Sequence, residues 1–213
     1  YLIRYADADE FDQAEVRLGG FYEWRRRDWR AELGIHSAAS TLGGDAFDRK
    51  LGANARIARY IGENHVLDLR YSYDEVSEGD EIFTGIGGSR QRVDARYKWY
   101  REDHRVQLRY IVEDNDRESA AVSPERSAVI MDYRYLPLRG FGYEAGVELR
   151  DSEYADIAIP REEDLVTVFG TLSYAFSNDW SVLFEYRHSD NESTDPTFTY
   201  DRRKFTLGAM KVF

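Results

Sequence analysis

Asp94, Arg96 and Lys98 stand at every second position of one segment, with Val93, Ala95, Tyr97 and Trp99 between them. Residues spaced by two share one face of an extended chain, so this segment carries its charge on one side and its apolar groups on the other. The pattern recurs. Asp68 and Arg70 alternate with Leu67, Leu69, Tyr71 and Tyr73; Arg105 and Arg109 with Val106, Leu108, Tyr110 and Val112; Glu185 and Arg187 with Trp180, Val182, Phe184 and Tyr186. Over the whole chain the charged parity collects Arg17, Arg25, Arg30, Arg56, Arg70, Arg96, Lys98, Arg105, Arg109, Arg134, Arg150, Arg187 and Lys204. Opposing them are Glu15, Glu23, Glu32, Asp68, Asp94, Glu113, Asp132, Glu144, Glu148 and Glu185.

The chemistry open to such a set is electrostatic. Opposite charges on neighbouring strands pair across a sheet, and a basic excess around an opening favours anions. Two readings therefore stand side by side. In one, the charges neutralise each other and stiffen a wall. In the other, they line a passage for ions or small polar solutes, including anionic ones.

Bond-making chemistry finds little support. His65 and His104 fall in tight turns and read as solvated, while His36 shares the charged parity. His188-Ser189-Asp190 holds the residue types of a nucleophilic triad, but neighbours on a strand point to opposite faces and cannot act together. No His or Cys spacing matches a metal site. Asp114, Asp116 and Glu118 read as a solvated loop before a Ca²⁺ site. Gly85-Ile86-Gly87-Gly88 has no helix after it to hold a phosphate. The chain reads as a non-enzyme without a cofactor.

The elements that position these charges are strands, since apolar residues recur at i and i+2. Twelve are expected, at about 1–6, 14–26, 28–38, 49–61, 65–75, 90–101, 104–114, 126–137, 141–152, 163–176, 179–189 and 200–213. Tight turns near Arg26-Arg27-Asp28, Gly62-Glu63-Asn64-His65, Glu102-Asp103-His104, Leu138-Arg139-Gly140 and Ser177-Asn178-Asp179 alternate with long connections near 6–13, 38–49, 75–90, 114–126, 152–163 and 189–201. That rhythm is expected of a transmembrane barrel with short periplasmic turns and longer outer loops. It puts the terminal Phe213 on the periplasmic side. Trp24, Trp29, Trp99 and Trp180 all lie beside tight turns, as a membrane girdle requires, and Phe213 joins them. Pro124, Pro160 and Pro196 fall in long connections and Pro137 at a turn, outside the ladders that proline would interrupt.

Composition agrees. The chain has 213 residues, 15% aromatic, with 16 Tyr and no Cys. A mean hydropathy of -0.65 looks polar, but half of each spanning strand is polar, so averaging hides the signal. A net charge of -11 crowds into the long connections, as in Asp7-Ala8-Asp9-Glu10 and Asp74 to Glu81. Such a surface disfavours nucleic acid. It reads as solvated loops or as carboxylates bridged by divalent cations to lipopolysaccharide. The expected fold is all-β, a closed antiparallel transmembrane barrel in one domain over 1–213, embedded in outer-membrane lipid. Tyr1 to Tyr5 is short for a crossing before the acidic run at Asp7. Either that strand continues through Ala8, or the natural chain has residues upstream of Tyr1. The second is preferred, and the barrel then has more than twelve strands or follows an N-terminal periplasmic domain or partner.

The last hairpin runs from Asn178-Asp179-Trp180 through Tyr186-Arg187-His188-Ser189-Asp190-Asn191 to Tyr200-Asp201-Arg202-Arg203-Lys204-Phe205 and Phe213. It resembles the closing hairpin of Gram-negative outer-membrane β-barrels. It is most similar to β-barrel porins and to barrels that follow tetratricopeptide repeats, including surface-lipoprotein assembly modifiers and exopolysaccharide-secretion porins. In size and strand count the chain also resembles small oligosaccharide-specific porins with arginine tracks. The resemblance implies an outer-membrane location and a transport role, without a substrate. Three functions follow as expectations: a channel, the C-terminal barrel of a polysaccharide or protein export or assembly machine, and a plugged barrel that anchors a partner.

Overall fold

The computed structural model describes residues 2–3, 13–80, 84–137, 140–176 and 180–211. Its strands are β1 (Leu2–Ile3), β2 (Gln13–Arg26), β3 (Trp29–Leu42), β4 (Asp45–Ile61), β5 (His65–Glu78) and β6 (Gly88–Arg101). They continue as β7 (His104–Arg117), β8 (Glu125–Tyr135), β9 (Gly140–Tyr154), β10 (Arg161–Ala175), β11 (Trp180–Ser193) and β12 (Tyr200–Lys211). All twelve form one antiparallel sheet in sequence order. Each strand from β2 to β11 pairs with the strand before it and the strand after it, the arrangement of an up-and-down meander.

The strands are staggered. One row of register partners runs Trp29, Arg59, Leu67, Tyr97, Leu108, Met131, Val147, Val168, His188 and Arg203. It leaves the tight-turn end at the first residue of β3 and reaches the opposite end near the top of β12. A row that climbs in this way means tilted strands, the geometry that a barrel requires.

The sheet has no interior of the usual kind. Its apolar face is exposed: Leu33, Ile35, Leu51, Phe205 and Leu207 all lie open. The residues most removed from solvent include Asp48, Asp68, Asp74, Asp94, Asp132, Thr167 and Asn191. Burying carboxylates while exposing leucines is unfavourable in water, and favourable where lipid covers the leucines and basic groups cover the acids.

Strands run further than expected at the long-connection end. The sequence places a connection at 38–49; the chain instead pairs up to Leu42 and resumes at Asp45, with Gly43 and Gly44 as the turn. Both glycines have positive φ, 61° and 94°, which a tight hairpin turn demands and side chains resist. The connections at 75–90, 114–126, 152–163 and 189–201 shorten in the same way. A crossing needs only about 9–11 residues, so strands of 14 to 17 residues extend past it.

The turns at Leu138-Arg139 and Ser177-Asn178-Asp179, the acidic run from Asp7, most of the first expected strand and Phe213 lie outside the described residues. The expected closure between first and last strands is not among the described pairings. β1 is described for two residues, paired with Gln13 and Ala14, and the remaining edge of β2 and the outer edge of β12 have no ladder partner among the described residues. Closing the sheet is what satisfies such edges in lipid.

Candidate functional site

Every charged residue expected to share a face does so. Register partners point the same way, and alternate residues along a strand repeat the direction. Arg17, Arg30, Arg56, Arg70, Asp94, Arg96, Lys98, Arg109, Asp132, Arg134, Glu148, Arg150, Glu185 and Arg187 thus fall on one side of the sheet, across β2 to β11. Lys204 extends the set to β12, opposite Arg187. Trp24, Trp29, Trp99 and Trp180 occupy the other face, near the tight-turn ends of their strands.

The acids and bases are layered. Asp68 is inaccessible at its side chain, and Asp74, Asp94 and Asp132 nearly so. A short aspartate stays at the backbone, where neighbouring strands cover it. Arginine reaches past it, so guanidinium groups lie over the carboxylates. Arg56 binds Asp68 at 2.7 Å and Glu32 at 3.3 Å, with Arg70 on the far side of Asp68. Asp94 accepts from Arg96 and, at 2.5 Å, from Arg109. Asp132 accepts from Arg105 at 2.6 Å and Gln107 at 2.8 Å, and Glu144 lies within ion-pair reach of Arg134. Each buried acid has one or two cations, the condition under which a buried charge is tolerated. What faces outward from this wall is mainly arginine.

Toward β12 the compensation ends. Arg187 and Lys204 are register partners, which sets like charges opposite each other. Among the described residues no ion pair involves Arg187, Arg202 or Lys204. Arg187 lies over the Phe169 ring at 5.4 Å.

A second cluster escaped the sequence reading. Asp74 accepts from His36 at 2.8 Å and from Arg90 at 2.6 Å. The contact between His36 on β3 and Asp74 on β5 passes over Gly52 on β4, where a Cβ would collide with both side chains. A cleft of about 590 Å³ runs beside it, bounded by Arg17, Phe21, His36, Lys50 and Arg90 among others. Phe21 pairs with Gly34 on the charged face and keeps its ring exposed. A neighbouring cavity of about 250 Å³ shares Lys50, Asp74 and Arg90 and adds Arg117, with Ile86 and Val122 from two connections along its lining. Those connections therefore lean over the charged face. Lys50, Asp74 and Arg90 share the parity of Arg56, Asp68 and Asp94, although they were not among the residues collected from the sequence.

The weaker candidates resolve individually. His65 and His104 are the first residues of β5 and β7, not turn residues; they bond the hydroxyls of Tyr97 and Tyr133 at 2.7 and 2.6 Å on the apolar face. Tyr135 and Tyr143 pack beside them, so the aromatic band at this end is larger than four tryptophans. Ser189 meets Thr167 on the charged face at 2.9 Å, while His188 and Asp190 share the other. Gly85 and Ile86 offer amides to Glu78, so the glycine-rich loop holds a carboxylate of its own chain. Among the described residues Asp114, Asp116 and Glu118 join no group able to hold a metal.

No known family model and no curated protein matches this chain. Among solved structures, OmpT, an outer membrane protein of Vibrio cholerae, is similar at TM-score 0.64 and 13% identity, over 94% of this chain and 63% of that one. Its loop L8 deletion mutant is similar at TM-score 0.65 and 13% identity, over 94% and 62%. The trimer form of OmpT is similar at TM-score 0.55 and 10% identity, over 93% and 97%. The chain spans about three-fifths of the length of the first two. At these identities the likeness is one of fold: an all-β outer-membrane barrel architecture.

Proposed function

We propose that this chain forms a bacterial outer-membrane channel for small polar solutes with a preference for anions, its charged face lining the lumen. The observation that carries the reading is the layering of acids beneath arginines. A solute in the lumen meets guanidinium groups first, because the aspartates are covered. Basic groups on a pore wall favour anions, and Arg187, Arg202 and Lys204, which enter no ion pair among the described residues, add to them. Arginine also binds carboxylates and phosphates with two parallel hydrogen bonds, so its preference extends from ions to acidic solutes.

The apolar face then meets lipid, with the Trp, Tyr and His band at the interface on the tight-turn side. That side faces the periplasm, as does the end of β12, and the acidic long connections face outward. There the carboxylates bind lipopolysaccharide through divalent cations. The cleft beside His36 and Arg90, together with the neighbouring cavity lined by Ile86 and Val122, is the narrow part of the passage.

Swelling of proteoliposomes tests this. Neutral and carboxylated sugars of equal size are offered to the folded chain. Faster entry of the acidic sugar is expected, with the difference shrinking as salt rises. Equal rates, or exclusion of the acidic sugar, contradict the proposal.

A further inference from the structure

On the apolar face, β3 to β7 enclose a slot of about 460 Å³ near the tight-turn end. Its floor is Ala95. The register partners of Ala95 are Leu69 and Tyr110, and along β6 it is followed by Tyr97. A methyl group among larger side chains leaves a channel between them, bounded on the far side by Ile57 and Leu108. Leu69, Leu108 and Tyr110 remain about half exposed, so the slot opens away from the protein.

Charge marks one end of it. Trp29 has Arg26 as its register partner on β2 and Arg59 as its partner on β4. The Arg59 guanidinium lies 5.3 Å from the Trp29 ring centroid. Among the described residues neither arginine enters an ion pair, although both stand on the apolar face. Arg59 and Trp29 line the end of the slot, and Arg26 stands on the other side of that indole, so two cations flanking an indole there match an anionic head above a hydrocarbon tail. Guanidinium binds a phosphodiester by paired hydrogen bonds, and indole sits at the boundary between head and tail.

We infer that this slot is a specific site for a phospholipid of the periplasmic leaflet. Its phosphate sits between Arg26 and Arg59, and one acyl chain lies along Ala95. The site rests on the orientation proposed above, which puts the tight turns in the leaflet made of phospholipid. A single narrow slot admits one chain, which favours a glycerophospholipid over the many-chained lipopolysaccharide.

The test uses the folded chain in detergent, mixed with phosphatidylglycerol, phosphatidylcholine or lipopolysaccharide and examined by native mass spectrometry. Heat-modifiable migration confirms folding of every variant. One retained phosphatidylglycerol per chain is expected. A95L fills the slot and should reduce retention at least tenfold; A145L makes the same change elsewhere on the apolar face and should not. R26Q with R59Q leaves the slot open and should abolish the preference for phosphatidylglycerol over phosphatidylcholine. Equal retention by A95L and the unsubstituted chain overturns the site, as does an unchanged preference in the double arginine variant or stronger retention of lipopolysaccharide. Orientation is read separately. The chain has no cysteine, so E63C labels in intact cells with an impermeant maleimide only if the tight turns face outward.

Discussion

Removing Arg96 and Arg109 together, as R96Q/R109Q, strips both cations from Asp94. Two effects follow, and they separate. The first is on the solute path. A unit charge about 8 Å from a passing ion in water contributes about 0.5 kcal/mol, and 0.1 M salt roughly halves that. Two lost charges then cost an anion about 0.5 kcal/mol and favour a cation by as much, so the anion-to-cation permeability ratio falls about fivefold. The second effect is on the fold. The Asp94 side chain is only 6% exposed, and stripping a buried charge of its partners costs about 3–5 kcal/mol. Adding D94N removes the stranded charge. The triple variant should regain most of the lost stability while showing about half the selectivity change, roughly twofold, because its net charge differs by one. The assays are reversal potential across a salt gradient in a planar bilayer and urea unfolding in lipid vesicles. If the double variant folds and its permeability ratio is unchanged, the arginines do not face the conducting path and the layering argument fails.

G52A should weaken the fold by about 1–3 kcal/mol, since a Cβ there meets both His36 and Asp74; urea unfolding measures it, and a neutral result would mean that the His36–Asp74 contact is absent. Lipids brominated at graded depths should quench single-tryptophan variants retaining Trp24, Trp29, Trp99 or Trp180 most strongly at one shared interfacial depth. Scattered depths would contradict the girdle. In the connection after β11, the Thr197 amide and hydroxyl donate to Asp195 at 3.0 and 2.8 Å and hold its carboxyl below the ordinary carboxylate range. A lowered folded pKa contributes stability above the unfolded value that is lost as pH falls through the folded one. Thr197 should therefore resist hydrogen exchange down through mildly acidic pH and lose protection only under stronger acid, whereas D195A should lose it throughout. Equal protection in D195A would show that the bond does not order this connection.

Strand parity was legible because lipid leaves a mark on sequence. From Leu67 to Tyr73, or from Trp180 to Tyr186, every outward residue must be apolar, so the period of two is nearly unbroken. The same pressure made both faces assignable and collected the charged residues on one side. Where strands rise beyond the lipid, the pressure stops but hydrogen bonding continues. Ala38 to Leu42 and Asp45 to Arg49 therefore read as a long connection, although they are paired strands closed by Gly43 and Gly44. The layering of acid under arginine was not legible, since parity gives a side and not a height. It depends on the different reach of Asp and Arg once neighbouring strands close over the wall. The crossing of His36 to Asp74 above Gly52 needed the register of three strands. The roles of His65 and His104 turned on a boundary of one residue, because the first residue of a strand still points to a defined face.

The most direct test of the central claim is reversal potential across a KCl gradient for the folded chain in a planar bilayer. Discrete conductance steps with chloride more permeant than potassium are expected, with a preference that weakens as salt is raised. Steps that favour potassium, or a folded barrel that inserts and never conducts, would contradict that claim.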